Sequence, residues 1–88
     1  MTAKAQTLEA KRAILKNTIL SCPNYREIKP NIFRGTNIET TSQITIQLTG
    51  TCVKISRGGY YIRPSPYIKD VDVEKFRRHI YTIIGVQL

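Results

Sequence analysis

The residues best suited to bind a ligand are cations and a tyrosine in the second half of the chain. Lys54 and Arg57 precede the pair Gly58-Gly59, and Tyr61 and Arg63 follow it. If the glycines form a two-residue hairpin loop, Lys54 lies opposite Arg63 and shares a sheet face with Tyr61. Lysine and arginine bind phosphates, and a tyrosine ring stacks on a base. The pattern predicts a non-enzymatic surface that binds nucleic acid, either DNA or RNA.

Further cations extend this predicted surface. Lys69 is expected to contact the same ligand at its periphery, as are the first-helix residues Lys11 and Lys16. The chain carries 14 lysines and arginines against 6 acidic residues, a net charge of +8. A charge of this sign favours polyanions or acidic proteins as partners. A polar, threonine-rich face with an occasional lysine is also an ordinary solvent-facing sheet surface, and this alternative stays open.

Catalytic and metal chemistry find little support in the residue types. His79 is the only histidine, and a ribonuclease would need a base and a phosphate-binding cation in one cleft. His79 and Arg77 could supply both, but a lone histidine on a helix is more often an exposed bystander. Cys22 and Cys52 do not join His79 at a spacing typical of zinc sites. We therefore expect no enzyme activity, no metal and no cofactor.

Two helices are predicted, one at each end of the chain. The first runs from about residue 2 or 7 to 21 and ends before Pro23, with Ile14 and Leu20 outside its apolar stripe. The second begins at Asp70, a plausible N-cap, and runs to about residue 84. Glu74 stands four residues before an arginine of this helix, an arrangement that favours an ion pair.

Strands are predicted between the helices. Residues 43–49 alternate apolar and polar side chains, and residues 52–57 and 60–63 flank the glycine pair. Residues 24–41 are less regular and predict a connection with one short strand. The sequence thus indicates one domain over residues 1–88 of the α+β class. We expect a three- or four-stranded antiparallel sheet with two helices on one face, in helix-β-β-β-helix order.

A second functional hypothesis is a protein-interaction module that docks on an acidic partner surface. Ile14 and Leu20, together with the apolar tail Val86 to Leu88, support it, and exposed strand edges also allow a homodimer. No apolar run is long enough to span a membrane. No leader-like segment opens the sequence, so a cytoplasmic protein with reduced thiols is expected.

Overall fold

A computed structural model describes residues 7–62 and 66–86, without the side chains of Tyr61 and Ile62. The elements in chain order are α1 (Leu8–Ser21), β1 (Tyr25–Lys29), β2 (Ile32–Thr36), β3 (Gln43–Leu48), β4 (Val53–Arg57), β5 (Tyr60–Ile62), a 3₁₀ turn (Ile68–Asp70) and α2 (Val73–Ile83). The strands form one antiparallel sheet in the order β1-β2-β3-β4-β5. The α+β class, with an antiparallel sheet and two helices, is confirmed.

The sheet has five strands rather than three or four, because residues 25–36, within the stretch predicted to hold one short strand, form a complete hairpin. Pro30 and Asn31 make its turn, and Asn31 adopts a left-handed backbone with φ of 64°. Asparagine tolerates this conformation better than most residues. The Glu27 carboxylate accepts a hydrogen bond from the Asn31 amide at 2.9 Å, which holds the turn. Ile28 interrupts the register as a bulge, so the strand lacks the alternation by which a sequence reveals it.

The meander of β3, β4 and β5 follows the predicted register. Gly58 and Gly59 both have positive φ, of 59° and 93°, as a tight hairpin turn requires. Arg57 pairs with Tyr60 on either side of this turn. β4 pairs with β3, and the apolar residues of these two strands share one face of the sheet. Strict alternation in β3 therefore predicted the orientation of the central strands correctly.

The first helix begins at a capped residue and ends before a proline. The Thr7 hydroxyl accepts a hydrogen bond from the Ala10 amide at 3.0 Å, which satisfies one free amide of the first turn. Leu15 and Ile19 are fully buried on the side that faces the core. Leu20 stays 42% exposed, consistent with its predicted position outside the apolar stripe.

The second helix begins after Asp72, and the expectation that Asp70 caps it is wrong. The Asp72 side chain accepts a hydrogen bond from the Lys75 amide at 3.1 Å. Asp70 instead ends the 3₁₀ turn, whose Ile68 is fully buried and so fixes this segment ahead of the helix. In the described part of the chain, neither helix is long and apolar enough to cross a membrane.

One hydrophobic core joins both helices to a single face of the sheet. The helices and the residues that cap their C-termini contribute Leu15, Ile19, Cys22, Phe76, Ile80, Ile83 and Ile84. The strands contribute Tyr25, Phe33, Ile44, Ile46, Leu48, Val53 and Ile55. Since side chains alternate across a strand, the residues between these apolar ones lie on the opposite side. We call that side the outer face; its described side chains are Arg26, Lys29, Ile32, Arg34, Thr36, Gln43, Thr45, Gln47, Lys54 and Ser56.

Candidate functional site

A row of directly paired residues crosses the outer face and begins with two arginines. Arg26 of β1 pairs with Arg34 of β2, Arg34 pairs with Thr45, and Thr45 pairs with Ser56. Both arginines are exposed. Directly opposed side chains in antiparallel strands have Cβ atoms about 4.5–5.5 Å apart, so these two positive charges are close neighbours. The backbone of Tyr61 continues the row by pairing with Ser56.

A second row runs parallel to the first and carries the other two cations. Its members, in order across the sheet, are Lys29, Ile32, Gln47 and Lys54. Both lysines are exposed, and the two residues between them are half-buried. Together with the arginines they place four positive charges on the outer face. Among the described residues, this face carries no aspartate or glutamate.

The acidic side chains that form ion pairs lie elsewhere. Glu27 belongs to the covered side of β1 and meets Lys16 of α1 at 3.3 Å. The pKa of Glu27 is lowered, chiefly by the hydrogen bond from the Asn31 amide and further by Lys16. Glu74 of α2 binds two arginines of its own helix, and their hydrogen bonds lower its pKa. Neither carboxylate neutralises the cations of the outer face.

The predicted contact residues divide among three locations. Lys54 lies on the outer face, as alternation in β4 predicts. Tyr61 holds the expected backbone register, and Arg63 lies outside the described residues. Arg57 is exposed, but its pairing with Ile44 aligns it with the covered rows. Lys69 is exposed on the 3₁₀ turn and belongs to none of the strands.

The other two lysines predicted at the periphery lie on α1, on the covered side of the sheet. Lys11 is half-buried in the first half of the helix. Lys16 is occupied by its ion pair with Glu27. An outer-face ligand would therefore meet neither side chain directly.

Sequence analysis did not identify Arg26 and Arg34, two cations that are directly opposite each other on the outer face. Their strands lie in the segment predicted to be irregular, where a bulge and Gly35 obscure the period of two. A usable signal was present: Pro30 and Asn31 separate two short runs rich in β-branched and aromatic residues. A Pro-Asn pair in that setting is a hairpin signal.

Of the two candidate catalytic residues, His79 is exposed on α2 and Arg77 forms an ion pair with Glu74. Arg77 donates to Glu74 and also lies over the Tyr81 ring, 5.9 Å from its centroid. Burial raises the pKa of the Cys22 thiol from 9.0 to about 11, so this sulfur is a poor nucleophile at neutral pH. In residues 7–62 and 66–86, no three histidine, cysteine or acidic side chains are grouped to hold a metal ion.

Comparisons with protein-family models, with curated proteins and with solved structures found no match to this chain. The arrangement of charges on the sheet is therefore the basis for any statement about function.

Proposed function

We propose that this protein binds nucleic acid through the outer face of its sheet, without catalysing a reaction on it. The observation that carries the proposal is the direct pairing of Arg26 with Arg34 on a face that also bears Lys29 and Lys54. Paired like charges destabilise a sheet unless an anion lies over them. A phosphodiester backbone supplies a series of such anions along one strand.

The other groups on this face suit the same ligand. Thr45 and Ser56 occupy the centre of the arginine row, half-buried but with hydroxyl groups able to bond phosphate or sugar oxygens. Tyr61 stays a sequence-based candidate for stacking on a base, because it continues this row in backbone register. Surfaces that bind single-stranded nucleic acid combine cations that contact the backbone with aromatic side chains on which bases stack.

Chemical-shift mapping tests the location of the interface. A labelled sample is titrated with a short mixed-sequence DNA strand and, separately, with the matching RNA strand at low salt. We expect the largest shifts at the arginine side-chain Nε–H groups of Arg26 and Arg34 and at backbone amides around Thr45 and Lys54. Shifts confined to α1 and α2, or no shifts with either strand, would refute the proposal.

A protein-interaction module that docks on an acidic surface is the second candidate. It is favoured by exposed apolar side chains, of which Leu20 is 42% and Ile38 is 56% exposed. The tail gives it less support, because Val86 packs against the core of the same chain. Sedimentation of the full chain and of a chain truncated after Gly85 distinguishes the two. A salt-insensitive oligomer that is lost on truncation would favour the interaction module.

A further inference from the structure

A groove of about 580 Å³ opens beside the paired arginines, at the end of the sheet where β2 leads into β3. Arg26 and Arg34 line it together with Thr36 and Gln43, which pair with each other on the outer face. Grooves of roughly 300–1,000 Å³ accommodate ligands of small-molecule size. Such a groove is large enough for one nucleotide and too small for a double helix.

The groove combines positive charge with neutral groups that both donate and accept hydrogen bonds. Its guanidinium groups come from β1 and β2, while its amides and hydroxyls come from Asn24, Gln43, Thr36 and Thr41. Guanidinium groups bind phosphate oxygens in a two-pronged geometry. Side-chain amides match the mixed donors and acceptors on a base edge. Glu39, in the adjacent loop, is not among the residues that line the groove.

One wall of the groove is the loop of residues 37–42, and hydrogen bonds fix it to α2. The buried Asn37 side chain donates to the Ile83 carbonyl at 2.9 Å, and its oxygen accepts from the Glu39 and Thr40 amides. The Ile38 amide donates to the Ile84 carbonyl, also at 2.9 Å. The loop therefore has a defined position before any ligand arrives, which lowers the entropy lost on binding.

Two residues of the groove have a left-handed backbone, a conformation that asparagine tolerates and that threonine rarely adopts. Asn24 has φ of 71° and Thr41 has φ of 61°. A positive φ is rare for a β-branched residue such as Thr41, and backbone strain of this kind concentrates at ligand sites. The strain is consistent with a groove whose shape is maintained for binding.

We propose that this groove receives one unpaired nucleotide, with its phosphate on Arg26 and Arg34 and its base against Gln43 and Asn24. The inference rests on the proposed function and adds that the ligand is single-stranded nucleic acid. A base within a duplex has its pairing edge occupied and cannot enter a recess of this size. Single strands therefore bind more tightly than duplexes of the same sequence.

Fluorescence anisotropy at low salt tests this with a labelled single strand and the duplex of the same sequence. We expect the single strand to bind about tenfold more tightly than the duplex. Gln43→Ala is expected to weaken single-strand binding about five-fold and to leave duplex binding unchanged. The matched control is Gln47→Ala, which alters the same residue type on the same strand and face outside the groove. Because Gln47 lies on the outer face but outside the groove, its loss is expected to change the two affinities by the same factor and so to leave the ratio of single-strand to duplex affinity unchanged.

The outcomes separate the groove from the wider proposal. Equal affinity for both ligands, or equal effects of the two glutamine variants, overturns the groove assignment while the proposed function stands. Failure of the wild-type protein to bind either ligand at low salt overturns both. Gln43 is exposed, so its truncation leaves the core intact, and a thermal melt of each variant verifies this.

Discussion

The opposed arginines at positions 26 and 34 are expected to reduce the stability of the free protein. Their side chains are directly paired, and no described acidic residue shares their face. Arg34→Gln removes the charge, and with it the repulsion, while it keeps a polar side chain. We expect the variant to raise the free energy of unfolding at low salt by roughly 0.2–1 kcal/mol, and by less at high salt because ions screen the charges. Urea unfolding at two salt concentrations measures this.

The contrary result is equally clear. If Arg34→Gln destabilises the protein by the same amount at both salt concentrations, the arginine contributes packing or hydrogen bonds rather than repulsion. The two arginines would then stabilise the sheet, and their pairing would no longer indicate that the face binds an anion.

Cys22 gives a prediction about alkaline stability. Its thiol is 1% exposed, and burial raises its pKa to about 11 in the folded protein, against 9.0 for the free thiol. The unfolded chain therefore releases this proton at lower pH, so rising pH favours unfolding between these values. The wild type should lose up to about 2 kcal/mol relative to Cys22→Ala as pH rises from about 9 to about 11.

Urea titrations of both proteins across this interval measure the difference. The difference is expected to be constant below about pH 8, where the thiol is neutral in both states. A difference that stays constant up to about pH 11 would show that burial does not hold the thiol in its protonated form.

At the scale of single residues, sequence reasoning succeeded where local pattern decides. The strict alternation of β3 and the glycine turn placed Lys54 on the outer face. It could not place Lys69, because an aperiodic stretch after the prolines carries no register information. It overlooked Arg34, because a bulge in the neighbouring strand disrupts the period that would have revealed the pair.

At the scale of elements, the packing of β1 against β2 requires a glycine at position 35, where a side chain would clash with its neighbours. A Cβ atom at Gly35 would lie 2.6 Å from the Tyr25 ring and 2.8 Å from the Asn24 carbonyl. The ring cannot move freely, since Tyr25 is buried and its hydroxyl donates to the Ile80 carbonyl. Gly35→Ala is therefore expected to lower the free energy of unfolding by about 1–3 kcal/mol or more.

Gly50→Ala is the matched control for that substitution. No atom lies within 4 Å of the Cβ position at Gly50. This variant is expected to change stability by less than about 0.5 kcal/mol. Chemical denaturation of both alanine variants makes the comparison, and similar losses in the two would show that crowding at Gly35 is not the cause.

The contact between α1 and the β3–β4 loop depends on one arginine. Arg12 donates from Nε to the Thr49 carbonyl at 3.2 Å and from Nη2 to the Gly50 carbonyl at 3.0 Å. Arg12→Ala is expected to cost about 1–3 kcal/mol in the free energy of unfolding, because hydrogen bonds from a charged donor are lost. Arg12→Lys should recover only part of that loss, since a single ammonium cannot reproduce the two-pronged geometry.

The neighbouring Lys11→Ala removes the same charge one position earlier and serves as its control. Thermal melts of the three variants test the expectation. A loss for Lys11→Ala as large as that for Arg12→Ala would indicate a general charge effect on the helix instead of a specific contact.

Element boundaries show where sequence evidence is strong and where it fails. Both helices and the β3–β5 meander were predictable because their apolar periods are regular and their ends carry caps or turns. The sequence predicted Asp70 as the N-cap of α2, whereas the N-cap is Asp72. Both residues are acidic, and the 3₁₀ turn that ends at Asp70 has no distinct sequence signature. The hairpin of β1 and β2 was hidden by its bulge.

At the scale of the whole molecule, the sheet is asymmetric in a way that follows from its strands. Apolar rows face both helices and form the core, while the opposite rows carry cations, hydroxyls and amides. The net charge of +8 could be read from composition, but the grouping of four cations on a sheet face without a described acidic residue became visible only from the pairing of the strands. This grouping converts a bulk property into a proposed binding surface.

The most direct test of that surface compares two triple variants that lose equal charge. The first removes three outer-face cations by the substitutions Arg26→Gln, Arg34→Gln and Lys54→Gln. The second removes three exposed cations from other surfaces by the substitutions Arg57→Gln, Lys69→Gln and Lys75→Gln. The measurement is the slope of log K against log salt concentration for a single-stranded oligonucleotide. We predict that the first variant lowers the magnitude of the slope by about two units, since each lost phosphate contact on a single strand removes about 0.7, and that the second leaves it almost unchanged. Equal changes in the two variants, or no binding by the wild-type protein at low salt, would contradict the account.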